Sequence, residues 1–342
     1  MIDTGVSVYA GLKEYSIEEN IKYLRLAKEL GCKYVFSSAH IKEAESDKEE
    51  LQNIINECNN LGLSLSLDVS KPMMDKFEIP KGVFALRLDY GFSDEEIIEL
   101  SHNAPYLVEL NASTLSKEHI QKLIDNGINK ERTRFTFNFY PKLYSGHDIS
   151  DVFAKASICA EVGIYVGAFI PSHIGFRPPM YEGLPTVESH RNMLLDNAIE
   201  ELKACGVNGI YFGDAYASND EIKTLNNHAC DEIMLKFIPK SDELDLDYIY
   251  EKSYKIRPDL NNHILRISSL RTDAEILSFN TVDRNIYDVT IDNSKYKRYA
   301  GEINIVVSPL PKDERVNVIG KLDTTFVIID AIKRGNRFKF FK

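Results

Sequence analysis

Short apolar segments alternate with longer segments of helical periodicity through the first two thirds of the chain. Eight strand-then-helix units follow one another between residues 5 and 229. The predicted strands are dense in β-branched and aromatic residues, as parallel strands buried on both faces are; they cover residues 6–9, 34–38, 63–69, 84–89, 106–112, 135–140, 165–170 and 209–212. Eight consecutive units over about 225 residues predict an α/β fold, a closed TIM (β/α)8 barrel, rather than a doubly wound sheet.

The predicted helices lie between these strands. Segment 17–30 places Ile21, Leu24 and Ala27 at helical spacing, and Gly31 follows as a C-cap. Further helical segments cover residues 47–61, 94–101, 117–126, 149–161, 187–204 and 219–228. The connection 71–82 is predicted to hold only a turn of helix.

The pattern changes after residue 231, where strand-like segments are separated by turn signals. These segments cover residues 264–267, 288–291, 303–307, 316–319 and 325–329. They predict a second, smaller all-β domain, built as an antiparallel barrel or sandwich. The predicted domains are 1–230 for the barrel, which carries the chemistry, and 231–342 for the β domain.

Composition limits the classes of partner and compartment. The 342 residues carry a formal net charge of −11, which argues against nucleic acid and anionic membranes as partners. No basic leader and no apolar run of about 18 residues is visible, so we expect a soluble, cytoplasmic protein. The five cysteines are widely spaced and form no CxxC, which argues against disulfides and a zinc site.

Carboxylates follow several predicted strands, where a barrel of this type carries its catalytic residues. Asp68, Asp89 and Asp214 each end an apolar segment, and Glu182 lies in the loop after the seventh strand. Paired carboxylates suit glycoside hydrolysis, in which one donates a proton and another attacks or activates water. Alternatively, an individual aspartate here caps the next helix or pairs with an arginine.

Other polar and aromatic residues at the predicted strand ends are candidates for binding substrate. Arg177, in the loop after the seventh strand, is the preferred anion contact, whereas Arg191 is expected to form a helix-surface salt bridge. Glu109 faces the lumen or pairs with Arg87 inside it. The predicted substrate-binding set is Tyr9, Asp68, Glu109, Asn111, Asn138, Tyr140, His173, Arg177 and His190.

Recognisable metal and nucleotide motifs are missing from the sequence. The histidines, among them His40, His102, His147, His173 and His190, form no HxH or HExxH spacing, and there is no GxGxxG or P-loop. We therefore expect no metal and no cofactor, although a metal triad assembled from separate strands remains an alternative.

Several motifs in the same order resemble those of the MupG family, whose members include 6-phospho-N-acetylmuramidases. They read LRLDYGFS (86–93), ELNAST (109–114), NFYP (138–141), MYEGLPT (180–186) and GDAYAS (213–218), followed by DN (292–293) and DERVNVIG (313–320). This resemblance implies a TIM barrel followed by a cyclophilin-like β domain. It also implies intracellular hydrolysis of the β-1,4 bond in MurNAc 6-phosphate–GlcNAc, a disaccharide from bacterial cell-wall turnover. Asp89, Asn111, Glu182 and Asp214 lie inside the matching motifs.

One segment departs from the family pattern. Family members usually have His before the Asn of NFYP and Arg-Pro after its Pro, whereas this chain has Phe137 and Lys142-Leu143. The substrate can therefore differ from that of the family.

The leading hypothesis is a glycosidase of peptidoglycan recycling that acts on a phosphorylated amino-sugar disaccharide. Asp89, Glu182 and Asp214 supply the catalytic carboxylates, and Tyr9, Tyr90 and Tyr181 pack against sugar rings. Arg177, helped by His173 or His190, holds the 6-phosphate, with Arg271 a weaker candidate. The alternatives are another barrel enzyme acting on a sugar phosphate, either a metal-assisted hydrolase or an epimerase, and a non-catalytic phosphosugar-binding protein. Two roles are open to the β domain: it completes the site as a lid that excludes water, or it forms the surface of a homodimer.

Overall fold

A computed structural model of the chain describes residues 1–38, 48–75, 79–272 and 274–342. The chain divides into two compact units, Met1–Ala229 and Cys230–Lys342. In the first unit, eight parallel strands form a closed barrel, because the first strand pairs with both the second and the eighth. The predicted TIM barrel is therefore confirmed.

The barrel strands and the helices that connect them alternate along the chain. The strands are β1 (Asp3–Ser7), β2 (Tyr34–Ser38), β3 (Ser64–Val69), β4 (Ala85–Leu88), β5 (Leu107–Asn111), β6 (Thr133–Thr136), β7 (Tyr165–Ile170) and β8 (Gly209–Phe212). The helices are α1 (Ile17–Glu29), α2 (Lys48–Leu61), α3 (Lys71–Met74), α4 (Asp94–Asn103), α5 (Lys117–Asp125), α6 (Ile149–Val162), α7 (Leu195–Ala204) and α8 (Asn219–Asn227), with 3-10 segments at Lys130–Arg132 and Glu188–Asn192.

Local signals explain where several of these helices begin and end. Helices α1, α4 and α8 begin with capping boxes, in which Ser16, Ser93 and Ser218 accept from the backbone three residues on. Gly163 ends α6 in a left-handed conformation that glycine adopts without strain. Among the described helices, none combines the length and the apolarity needed to cross a membrane.

The single helix predicted over residues 187–204 is wrong in its first half. A 3-10 segment, Glu188–Asn192, is followed by extended backbone at Met193 and Leu194, where ψ is 150° and 137°. Helix α7 begins only after this break. The break keeps Glu188–Asn192 in the loop region that follows β7.

The second unit is a curled, mostly antiparallel six-stranded sheet in the order β10-β12-β11-β13-β9-β14. Its elements are β9 (Ile233–Pro239), β10 (Ile264–Arg271), β11 (Asp288–Asp292), β12 (Glu302–Val306), β13 (Val316–Asp323), α9 (Phe326–Lys333) and β14 (Phe338–Phe341), with 3-10 segments at Asp247–Tyr250 and Ser294–Tyr299. Strands β9 and β14 were missed from the sequence, and they pair in parallel.

The strand predicted over residues 325–329 is wrong, because α9 occupies this segment. Its apolar run continues past residue 329 with Ala331 and Ile332, which are buried together with Ile328 and Ile329. A short apolar run fits either a buried strand or a buried helix. The later apolar residues, at helical spacing, favour the helix.

Candidate active site

The parallel barrel brings the carboxyl ends of all eight strands to one mouth. An aromatic cluster fills the lumen below it, with Tyr9, Phe36, Phe169 and Tyr211 as its large buried members. The Phe36 and Phe169 rings meet edge to face, with centroids 5.1 Å apart. Because these rings fill the lumen, a ligand can bind only above them, at the strand ends and the loops that follow.

A row of alternating charges crosses four neighbouring strands of the lumen. Asp68 lies opposite Arg87, Arg87 opposite Glu109, and Glu109 opposite Arg134. Arg87 Nη1 donates to Asp68 Oδ1 at 2.7 Å, and Arg134 Nε lies 3.3 Å from Glu109 Oε2. Glu109 thus faces the lumen, the first of the two alternatives, and its ion pair is with Arg134 rather than with Arg87. Because opposite charges alternate along the row, the attraction between neighbours offsets the free-energy cost of removing these charges from water.

Arg87 also links two residues that were predicted to bind substrate. Its Nη2 donates to Asn138 Oδ1 in a short hydrogen bond, so Asp68 and Asn138 share one guanidinium. Ser38 Oγ donates to Asp68 Oδ2 at 3.4 Å. Asp68 therefore takes the arginine-paired role that was the alternative for a strand-end aspartate.

Asp214 is a fully buried carboxylate just beyond β8. The backbone N–H groups of Ser172 and Leu184 donate to its Oδ2 at 3.0 and 3.1 Å, and its Oδ1 is buried as well. Burial raises the pKa of Asp214 to about 7, against the opposing hydrogen bonds from Ser172, Leu184 and Arg177 and the charge of Arg177. At neutral pH this carboxyl group can hold a proton and release it, as a general acid must.

Arg177 lies over aromatic rings at the mouth. Its guanidinium carbon is 4.7 Å from the centroid of Tyr9 and 5.3 Å from that of Phe139. Its Nε is buried without an acceptor, and within the described ranges no carboxylate lies at ion-pair distance from it. Tyr9 is held below by its hydroxyl, which donates to the Gly213 carbonyl at 2.5 Å. A stacked guanidinium with unused donors suits an anionic ligand.

Glu182 lies in the loop after β7 and is exposed. Its neighbour Tyr181 donates from its hydroxyl to Glu14 Oε1 at 2.7 Å, which ties this loop to the loop after β1. His173, at the start of the same loop, is exposed, and its backbone N–H donates to Glu221 Oε1. Asp89 is exposed one residue beyond β4. The structure thus brings all three predicted catalytic carboxylates to mouth loops but buries only Asp214.

Three other predicted ligands are engaged within the protein. Asn111 Oδ1 accepts from the Ser113 N–H at 3.0 Å, and the Tyr140 hydroxyl lies 3.0 Å from His147 Nε2. His190 is fully buried, and its Nε2 lies 2.9 Å from Glu201 Oε2. His190 therefore presents no surface to a substrate.

Buried Arg191 forms an ion pair with Glu188 that the sequence analysis did not predict. Arg191 does not form a surface salt bridge, because it is buried and paired with Glu188 at 2.8 Å. Sequence reasoning missed Glu188, although its spacing of three residues from Arg191 is a usable signal.

His40, one of the histidines considered as a metal ligand, lies outside the described residues. Within the described ranges, no group of three or more His, Cys, Asp or Glu side chains is arranged to hold a metal ion.

The pKa of Asp214 predicts a pH-dependent cost to stability. An aspartate in the unfolded chain ionises near pH 4, whereas Asp214 in the folded chain ionises at about pH 7. The free energy of unfolding should therefore fall as the pH rises from about 4 to about 7, by at most about 4 kcal/mol. Asp214→Asn removes this loss. We expect its denaturation midpoint, relative to the parent, to rise between pH 5 and pH 8; an offset that does not change with pH would contradict the assignment.

Comparison with known proteins places the chain among relatives of the same architecture. It shares 23% identity with a protein from B. cereus described as uncharacterized, covering 100% of this chain and 99% of that one with a TM-score of 0.89, which supports the fold alone. It shares 28% identity with a conserved Enterococcus faecalis protein of unknown function, covering 99% and 96% with a TM-score of 0.71. Among curated proteins, no match is found.

Two family models together span nearly the whole chain. The model of the N-terminal part of 6-phospho-N-acetylmuramidase matches residues 4–227, and the model of its C-terminal part matches residues 232–341. These matches confirm the resemblance that the sequence motifs indicated. The chain, a TIM barrel followed by a curled β-sheet unit, therefore belongs to the 6-phospho-N-acetylmuramidase (MupG) family.

Proposed function

We propose that this protein hydrolyses the glycosidic bond of MurNAc 6-phosphate–GlcNAc, in the cytoplasm, during recycling of the bacterial cell wall. Membership of a glycosidase family supports the reaction class and a phosphosugar substrate. The observation that carries the proposal is the mouth itself: a buried carboxyl group with a pKa of about 7 lies beside a stacked arginine whose buried Nε has no acceptor among the described residues.

Asp214 is the proposed general acid. In its protonated form it donates to the glycosidic oxygen, so that GlcNAc leaves with its 4-hydroxyl group restored and Asp214 is left as the carboxylate. Glu182 is our preferred second carboxylate, because its loop also supplies the Leu184 N–H that binds Asp214; Asp89 is the other candidate. The second carboxylate attacks the anomeric carbon or activates water, or it assists attack by the substrate's own acetamido group.

Arg177 is the proposed ligand of the 6-phosphate, assisted by the exposed His173 at the start of the same loop. A planar guanidinium can make two parallel hydrogen bonds to phosphate oxygens, and its stacking on Tyr9 and Phe139 pre-orients it. The negative net charge of the chain does not oppose this role, because one local cation outweighs distant charges that salt screens.

The sugar hydroxyl and acetamido groups are assigned to polar residues around the lumen opening. Asp68 and Asn138, joined through Arg87, are the central pair, with Asn111 and Tyr140 beside them. We leave Glu109 and His190 out of the proposed set, because both are buried in ion pairs with other protein groups.

A direct assay tests the proposal. The purified protein is incubated with MurNAc 6-phosphate–GlcNAc and with the unphosphorylated disaccharide, each with and without EDTA, and free GlcNAc is followed by mass spectrometry. We expect release from the phosphorylated disaccharide alone, at a rate that EDTA does not change. Release from neither would refute the proposed substrate, and loss of activity with EDTA would refute the metal-independent mechanism.

A further inference from the structure

All three guanidinium nitrogens of buried Arg191 donate hydrogen bonds to loops at the barrel mouth. Its Nη1 donates to the carbonyls of Glu182 and Gly183, both at 2.9 Å. Its Nη2 donates to the carbonyls of Tyr140 and Lys142 at 3.0 and 3.3 Å. One side chain thus joins the loop after β6 to the loop after β7.

Glu188 holds this guanidinium in place. Its carboxylate accepts from Arg191 Nε and Nη2, both at 2.8 Å, and also from the backbone N–H groups of Tyr144 and Gly146. These hydrogen bonds, with that from Arg191 as the largest cause, lower the pKa of Glu188 to about 2. Glu188 is therefore ionised over the whole working pH range, and the pair does not come apart by protonation.

The contact with Gly183 reaches Asp214 through a single peptide group. The Gly183 carbonyl accepts from Arg191, and the N–H of the same peptide group, on Leu184, donates to Asp214 Oδ2 at 3.1 Å. A carbonyl that accepts a charged donor polarises its peptide group and strengthens the hydrogen bond that the N–H makes. Arg191 and Asp214 are thus connected by two consecutive hydrogen bonds.

The backbone around Glu182 needs support from outside the loop. Tyr181 and Gly183, its two neighbours, have φ values of 55° and 80° in the left-handed region. A non-glycine residue in that region persists only where surrounding contacts hold it. Tyr181 is held by its N–H, which donates to the Arg177 carbonyl at 3.2 Å, and by its hydroxyl bond to Glu14. The two Arg191 hydrogen bonds hold the peptide groups on both sides of Gly183.

We propose that Arg191 is a positioning residue for the reaction proposed above: it orients Asp214 through the Gly183–Leu184 peptide group and fixes the backbone that carries Glu182. The inference rests on the proposed function for its kinetic consequences. The link to Asp214 stands on the hydrogen bonds alone.

Three other ionisable groups interact electrostatically with Asp214, and replacing Arg191 does not remove any of them. They are Arg177, whose charge lowers the pKa of Asp214, and Tyr9 and Tyr15, whose own pKa values Asp214 raises. Removing Arg191 weakens the donation from Leu184 to the ionised carboxylate. The pKa of Asp214 should then rise.

Arg191→Ala tests the proposal. We expect kcat to fall by about tenfold or more and the alkaline limb of the kcat/KM pH profile to move upward by about half a pKa unit or more. Added guanidinium, which can enter the space left by the side chain, should restore both. The matched control is Arg25→Ala, which removes an exposed arginine paired with Glu57 and should change neither. A fall in kcat with an unmoved limb would reduce Arg191 to a purely structural residue and overturn the proposal.

A titration without substrate separates this inference from the proposed function. The Asp214 carboxyl carbon is followed by NMR in protein labelled with carbon-13 aspartate, and its signal is assigned by its absence in Asp214→Asn. A higher Asp214 pKa in Arg191→Ala than in the parent supports the link, whatever the substrate; equal values overturn it. Should the alanine variant not fold, the same comparison is made with Arg191→Met, which keeps an unbranched apolar side chain but donates nothing, and for which a parental value again overturns the proposal.

Discussion

Asp214→Asn is expected to lower kcat for MurNAc 6-phosphate–GlcNAc by about 100- to 10,000-fold, the usual contribution of a general acid. Asparagine matches the shape of the carboxyl group and can still accept from Ser172 and Leu184, but it has no acidic proton to give. The loss should therefore fall on kcat and leave the fold intact. Steady-state kinetics, with circular dichroism to verify folding, measures it.

A substrate with a better leaving group tests the role of Asp214 as general acid more specifically. A glycosyl fluoride of the same phosphosugar needs little protonation, so Asp214→Asn should hydrolyse it far closer to the parental rate than the disaccharide. The matched control is Asp292→Asn in the second unit, where burial and the charges of Glu302 and Asp313 also raise an aspartate pKa to about 7. The control should keep its activity. An equal loss on both substrates would remove Asp214 from the role of general acid.

Arg177→Met is expected to lower kcat/KM for the phosphorylated disaccharide by about 10- to 100-fold, the worth of charge-assisted hydrogen bonds to one phosphate. Methionine keeps apolar contact with Tyr9 and Phe139 but donates nothing. Turnover of the unphosphorylated disaccharide should hardly change, so the preference for phosphate collapses. Parallel kinetics on the two substrates give the ratio directly.

Two further variants refine the role of Arg177. Arg177→Lys keeps the charge but loses the planar stacking over the rings, and an intermediate preference is expected. Arg271→Met tests the weaker candidate from the second unit, and we expect it to leave the preference unchanged. Loss of the preference in Arg271→Met, with Arg177→Met behaving as the parent, would transfer the phosphate contact to Arg271.

The order of strands and helices in the barrel could be predicted from short-range sequence patterns, and two wrong assignments show what those patterns cannot predict. Strand segments dense in β-branched and aromatic residues, and helical segments with apolar residues at helical spacing, are encoded within a few neighbouring residues, so their order could be predicted. The run 325–329 could not be assigned correctly from the same signals, because a strand and a helix both accept four apolar residues in a row, as at 326–329. The first half of the helix predicted over 187–204 is wrong for a different reason: Arg191 and Glu188 are held by a distant loop rather than by a helical turn.

For the candidate site, the location could be predicted from the sequence, but the pairing of its charged residues could not. Its location at the strand ends, and the presence there of Asp68, Asp89, Asp214 and Arg177, follow from the order of elements in a parallel barrel. Which arginine pairs with which carboxylate does not: Glu109 pairs with Arg134 rather than Arg87, and Arg191 is buried rather than exposed. Neither outcome has a local signature.

The (β/α)8 barrel, the second β-rich unit and the carboxylate-rich mouth could all be predicted from the sequence, because periodicity and strand order are properties of neighbouring residues. The chemistry of Asp214 could not, because it depends on the tertiary packing. Burial beneath the loop after β7 raises its pKa, and N–H groups as far as 42 residues away along the chain oppose that rise. Desolvation and hydrogen bonding depend on what packs against a group, and that packing exists only once the loops of separate strands have met.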